Sequence, residues 1–159
     1  MNKALYPGSF DPLHNGHLAI IQTASTVFDH VVVSVGFNPE KTGFFSPEER
    51  VEMIDEVTAD LTNVTVQSFT GLVTAEAARC QASCLIKGLR SASDFDVEML
   101  QAKMNYESGD GIPTVFLPGI GSDALLSSRY VREVSSAGGP IRSVVPASVA
   151  ERLEKRATK

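Results

Sequence analysis

At 159 residues, 43% of them hydrophobic and 21% charged, the chain has the length and composition of one soluble domain with a sizeable core. A net charge of −5 argues against a general nucleic-acid surface, so positive charge aimed at phosphates has to be placed locally. No apolar run approaches the ~20 residues that cross a bilayer, and no signal-peptide core precedes the first strand-like segment. The two cysteines, Cys80 and Cys84, lie in a spacing that is neither a zinc nor a thioredoxin pattern. They read as buried or partly buried thiols of a reducing cytoplasm.

The first element expected is a strand over Lys3–Tyr6, followed by Pro7-Gly8-Ser9-Phe10-Asp11-Pro12-Leu13-His14-Asn15-Gly16-His17 and then a helix over about Gly16–Phe28. This is a strand, a tight loop and a helix whose first turn carries His17. A helix N-terminus presents free backbone N–H groups and the positive end of the dipole, which suits an anion. Glycines allow close backbone approach to a ligand, and His14 and His17, three apart, can face the same way. Such residues are ordinary in turns when scattered. Gathered in one strand–loop–helix unit, they indicate phosphate handling with imidazole donors.

Further strands are expected over Val31–Gly36, Val64–Phe69, Cys84–Lys87 and Thr114–Leu117. Helices are expected over Pro47–Ala59, Val73–Ala82, Asp94–Tyr106, Ser127–Ala137 and Ser148–Arg156. Val31-Val32-Val33-Ser34-Val35 is nearly continuous β-branched sequence, as in a strand covered on both faces. Ser46-Pro47-Glu48-Glu49 carries a cap, a first-turn proline and early acids. The alternation predicts an α/β, three-layer, Rossmann-like domain with a five-stranded parallel sheet. Ligands of such sheets bind beyond the carboxyl ends of the strands. The residues after successive strands, among them Ser9, His14, Lys41, Lys87, Arg90 and Ser127, would then converge on one cleft. Lys41, Lys87 and Arg90 supply local positive charge for an anionic substrate.

With these residues in place, the chain resembles bacterial phosphopantetheine adenylyltransferases, of the nucleotidylyltransferase superfamily with an H-x-G-H signature. The resemblance rests on His14-Asn15-Gly16-His17, on Asn38-Pro39-Glu40-Lys41 with Phe45-Ser46-Pro47-Glu48-Glu49-Arg50, and on Ile86-Lys87-Gly88-Leu89-Arg90 with Asp94-Phe95, Glu98 and Met104-Asn105. It also rests on Ser127-Ser128 with Arg132-Glu133-Val134. It implies the nucleotidylyltransferase fold and adenylyl transfer from ATP to 4′-phosphopantetheine with Mg²⁺ carried mainly by the ATP phosphates. Homohexameric assembly is implied as well. Catalytic roles fall to His17, stabilising the transition state, and to Lys41, bridging the acceptor phosphate and the α-phosphate. Ser9, Phe10, His14, His17, Gly88, Leu89, Arg90, Glu98, Ser127 and Ser128 are placed with ATP. Ser9, Lys41, Val73 and Lys87 are placed with phosphopantetheine.

Plainer readings stand beside these. Lys41 and Glu98 can be solvated surface charges, Glu98 can pair with Arg90 or a nearby lysine, Ser127 can be an N-cap, and Val73 can belong to the core. The chain departs from the family pattern where a third serine would stand, at Arg129, and where an aromatic residue would precede it, in Gly119–Leu125. Asp123, Ala124, Leu125 and Arg129 are therefore not carried over. Two alternatives remain open on sequence alone: transfer of an adenylyl or cytidylyl group to another phosphate such as nicotinamide mononucleotide, and a nucleotide-binding module without turnover.

Overall fold

The computed structural model describes residues 2–119 and 125–157. Five parallel strands, β1 (Lys3–Gly8), β2 (His30–Gly36), β3 (Val64–Phe69), β4 (Cys84–Leu89) and β5 (Thr114–Pro118), form one sheet in the order β3-β2-β1-β4-β5. The helices are α1 (Asn15–Val27), α2 (Pro47–Val57), α3 (Val73–Cys80), α4 (Ala92–Ser108), α5 (Ser128–Ser136) and α6 (Ala147–Ala157). Strands one to three step outward in one direction, and the chain then crosses back to lay β4 on the other side of β1. Strand order therefore reverses between β1 and β4, the place where open α/β sheets bind ligands.

Both sheet faces are covered. On one, Val31, Val33 and Val35 of β2 meet Ile20, Ile21 and Ala24 of α1, Met53 and Ile54 of α2, and Val149 and Leu153 of α6. On the other, Leu5, Val32 and Leu85 meet Ala77 of α3. Coverage of both faces explains why β2 reads as a continuous apolar run rather than an alternating one. Each such fully buried aliphatic side chain stabilises the fold by about 1.5–3 kcal/mol, which makes the sheet a stiff platform for its loops.

Strands β1 and β4 each run two residues beyond the expected ends, to Gly8 and Leu89. A Pro-Gly pair ordinarily ends a strand. Here β1 pairs with β4 only at Ala4 and Leu5, while its pairing with β2 continues through Pro7 and Gly8. Beyond that short ladder the two central strands have no mutual pairing, and a gap opens at the switch point. Helix α4 starts at Ala92, two residues early, because the Ser91 hydroxyl accepts the Asp94 N–H and caps it. Helix α3 stops at Cys80, earlier than expected, where Gln81 turns into the left-handed region.

Candidate active site

The loop from β1 to α1 is held from several directions. Asp11 accepts the backbone N–H groups of Phe44 and Phe45 through its two carboxylate oxygens, each at 2.8 Å. The same carboxylate lies 3.3 Å from Arg50 Nη2. Arg50, itself buried, donates to Phe45 O through Nε and Nη2 and to Ser9 O through Nη1. From the other side Arg132 donates to Asp11 O, and Ser128 Oγ donates to Pro12 O at 2.8 Å. These bonds over-determine a backbone in which Phe10 sits at φ 45°, a conformation that costs a non-glycine residue about 1–3 kcal/mol. The Phe10 ring is buried and packs edge-on between Tyr6, at 5.3 Å, and His17, at 5.0 Å. Gly8 gives this ring its space: a Cβ there would lie 2.9 Å from Phe10 Cζ.

His14 and His17 form a reciprocal cap at the start of α1. His14 Nδ1 accepts the His17 N–H, and His17 Nδ1 accepts the His14 N–H, each at 3.3 Å. The two rings stack with centroids 3.7 Å apart. Because each Nδ1 accepts, each neutral ring carries its proton on Nε2. Burial lowers the His14 pKa to about 4, with Arg90 adding to the effect. Burial, His14 and Arg90 together hold His17 well below its ordinary value. Both imidazoles are neutral donors at neutral pH.

Two cavities meet at the gap between β1 and β4. The first, of about 360 Å³, is lined by Ser9, Phe10, His14 and His17 from the β1–α1 unit, by Gly88, Leu89 and Arg90 from the end of β4, by Glu98 of α4, and by Ser127 and Ser128 at the start of α5. Every residue expected on the ATP side is thus brought to one cavity. The second, of about 860 Å³, is lined by Ser9, Val73 and Lys87 together with Phe37, Asn38, Leu100, Gln101, Met104 and Asn105. Pro7, Gly8, Ser9 and Lys87 belong to both walls. Lys41, by contrast, is exposed on the loop from β2 to α2 and lines neither cavity.

The plainer readings also have their place. Glu98 pairs with Lys87, at 3.0 Å, rather than with Arg90, which is bonded to Asp94 and to Leu126 O. Ser127 is the N-cap of α5, accepting the Tyr130 N–H. Arg129 pairs with Glu133 at 2.9 Å and still lines the first cavity. Asp123 and Ala124 lie outside the described residues, and Leu125 is exposed. Among the lining residues that sequence reasoning did not assign to the site are Arg132, which it quoted only for the resemblance, and Gln101. Each stands one helical turn beyond a residue it did single out, Ser128 and Glu98 respectively, and i, i+3 or i+4 spacing was the available signal.

A reversed parallel sheet, a capped helix start bearing two neutral imidazoles, and a cation-rimmed cavity beyond the strand ends define a domain of the nucleotidyltransferase class. A model of the Cytidylyltransferase-like family matches residues 5–134. A Vibrio parahaemolyticus crystal structure, provisionally assigned as a nicotinate-nucleotide adenylyltransferase, shares the fold with a TM-score of 0.71 over 99% of this chain and 94% of that one, at 18% identity. The chain is 46% identical to phosphopantetheine adenylyltransferase of a Nocardioides species over 98% of both sequences. It is 46% identical to the Clostridium kluyveri protein of that name, covering 94% of this chain and 91% of that one, and 44% identical to that of Streptomyces coelicolor over 98% of each. It belongs to the phosphopantetheine adenylyltransferase family.

Proposed function

We propose that the protein transfers the adenylyl group of ATP to 4′-phosphopantetheine, giving dephospho-coenzyme A and pyrophosphate on the way to coenzyme A. The observation that carries this reading is the pair of cavities joined at Pro7, Gly8, Ser9 and Lys87. A nucleotide in the first and a phosphorylated arm in the second would bring their phosphates together at that seam. The smaller cavity has the histidines, the arginines and the α5 start, which suit a triphosphate. The larger has the apolar wall of Val73, Leu100 and Met104, which suits a flexible arm.

An acceptor phosphate oxygen is anionic at neutral pH, so attack on the α-phosphorus requires no general base. The oxygen forms its bond as the α–β bridging bond breaks in line, and pyrophosphate leaves with the electron pair. The protein aligns the two groups and stabilises the charge that develops. His17 serves as a neutral Nε2–H donor at the junction, and Lys87 as a point charge on the acceptor phosphate. Lys41 acts on the α-phosphate in this reading only from a loop position other than the one described. Its replacement by alanine is therefore the sharpest test of its role.

Mg²⁺ fits as an ion carried by the triphosphate. The carboxylate on the described wall, Glu98, is paired with Lys87, and the other charged lining groups, Arg90, Arg129 and Arg132, are cations that offer a metal ion no ligand. When bound, the ion neutralises charge on the triphosphate and on the leaving pyrophosphate. The free thiols Cys80 and Cys84 support a cytoplasmic setting. Among the described residues no helix is long and apolar enough to cross a membrane. Exposed Val97, Met99 and Tyr106 on α4 leave apolar surface uncovered, which supports the homohexamer implied by the resemblance.

Pyrophosphate release from ATP, followed with phosphopantetheine and separately with nicotinamide mononucleotide, tests the reading. Turnover with the first alone is expected. Turnover with the second alone would move the acceptor assignment elsewhere. Nucleotide binding by calorimetry without turnover on either would overturn the enzymatic reading.

A further inference from the structure

Lys87 stands at the seam between the two cavities, and two side chains of α4 hold it. Its Nζ lies 3.0 Å from Glu98 Oε2 and donates to Gln101 Oε1 at 3.2 Å. Glu98 lines the first cavity and Gln101 the second. Three residues apart, they occupy one face of the helix and reach the ammonium from opposite sides of the seam. The two contacts differ in kind. Glu98 Oε2 is buried and accepts no well-directed hydrogen bond, so its contact with Lys87 is one of charge. The directional bond is the one to Gln101. An amide oxygen holds an ammonium without neutralising it, whereas a carboxylate both holds it and cancels its field.

We propose that Gln101 is a positioning residue for Lys87, setting the ammonium on the second-cavity side of the seam and so presenting it to the acceptor's phosphate. The proposal rests on the assignment of Lys87 to that phosphate. Without Gln101, Glu98 is the remaining close partner and draws the ammonium toward the nucleotide side. With a carboxylate at position 101, the ammonium would lie between two acids and its charge would be spent on them.

The test compares two ligands that differ only in the group in question: 4′-phosphopantetheine, and pantetheine, which has the same arm and no phosphate. Calorimetry measures both on the wild type and on Gln101→Leu, Gln101→Glu and Lys87→Ala. Gln101 is exposed, so its variants are expected to fold. Gln101→Leu should weaken phosphopantetheine by about tenfold, the scale of one hydrogen bond to a charged group, and leave pantetheine unchanged. Gln101→Glu should weaken phosphopantetheine further and again spare pantetheine. In steady state the KM for phosphopantetheine should rise while the KM for ATP holds. Equal weakening of both ligands by Gln101→Leu would make Gln101 a contact of the arm and overturn the proposal, as would no weakening of either. Equal weakening of both by Lys87→Ala would remove the assignment of Lys87, and the proposal with it, in a result read separately from the Gln101 variants.

Discussion

Replacing His17 by alanine removes its ring contacts with His14 and Phe10 and two further things, and the losses fall on different scales. One is an arm of the α1 capping box, a 3.3 Å bond to the His14 N–H. A helix cap is worth about 1 kcal/mol, against the ~5–15 kcal/mol that holds a domain folded. A chain of this size loses about 2–4 °C of Tm for each such kcal/mol, so loss of the cap by itself leaves the variant folded with a small shift in its melt. The other loss is an imidazole N–H donor on the wall of the first cavity. One preorganised donor at a site of developing charge is worth about 2.7–4 kcal/mol, or 10²–10³ in kcat. Turnover should therefore fall about a hundredfold to a thousandfold at saturating ATP and phosphopantetheine, while the circular-dichroism melt stays cooperative and drops by several degrees as the cap and the ring contacts are lost. His17→Gln restores a neutral N–H donor and should recover part of the loss. Because burial, His14 and Arg90 hold His17 well below its ordinary pKa, wild-type kcat should be flat between about pH 6 and 8. Near-normal turnover in His17→Ala would refute the role. A wild-type kcat that titrates near the ordinary histidine value would refute the neutral donor.

Four further outcomes follow from the packing within the domain. Asp11→Ala leaves Arg50 buried without its partner and frees the Phe44 and Phe45 N–H groups, so urea denaturation should show a loss of about 3–5 kcal/mol. A smaller loss in Asp11→Ala combined with Arg50→Met than in Asp11→Ala alone would place the cost in the stranded charge. Gly8→Ala puts a methyl group against the confined Phe10 ring and drives it toward His17; about 1–3 kcal/mol of stability and most of the activity should go, and a silent substitution would contradict the close approach. In acid, His14 lets the unfolded state take up its proton first, so stability should fall by roughly 3 kcal/mol as pH drops from the ordinary value of 6.5 towards about 4. Glu76 acts lower: burial pushes its pKa up, but bonds from Arg79, Ser34 and Gln67 and the Arg79 charge bring it below 4.5. Its contribution is present above 4.5 and is lost as pH falls through the folded pKa, and Glu76→Gln should flatten that lower limb of the stability profile.

How far the site was legible depends on the range of the interactions involved. The β1–α1 loop could be read because its chemistry is local: Gly8, Gly16, His14 and His17 act within a few residues of one another. The strand–helix alternation was equally local, and with the rule that ligands bind at strand ends it brought Ser9, His14, Lys87, Arg90 and Ser127 to one cavity, though not Lys41; the rest of the ATP-side set came from the resemblance. What the sequence by itself determined was therefore the class of fold, the phosphate-handling loop and the strand ends at which a ligand would bind. Tertiary structure decided the rest. The bonds from Asp11 to Phe44 and Phe45 close a gap of more than thirty residues, and no local pattern announces such a partner. The early end of β1–β4 pairing, which opens the seam, depends on how two strands distant in sequence part. The position of Lys41 depends on a loop whose path its own residues leave open. The choice of Glu98 and Gln101 as partners of Lys87 depends on how α4 lies against β4. Periodicity reports which way a side chain leaves its own helix or strand; what it meets there is set by packing between elements.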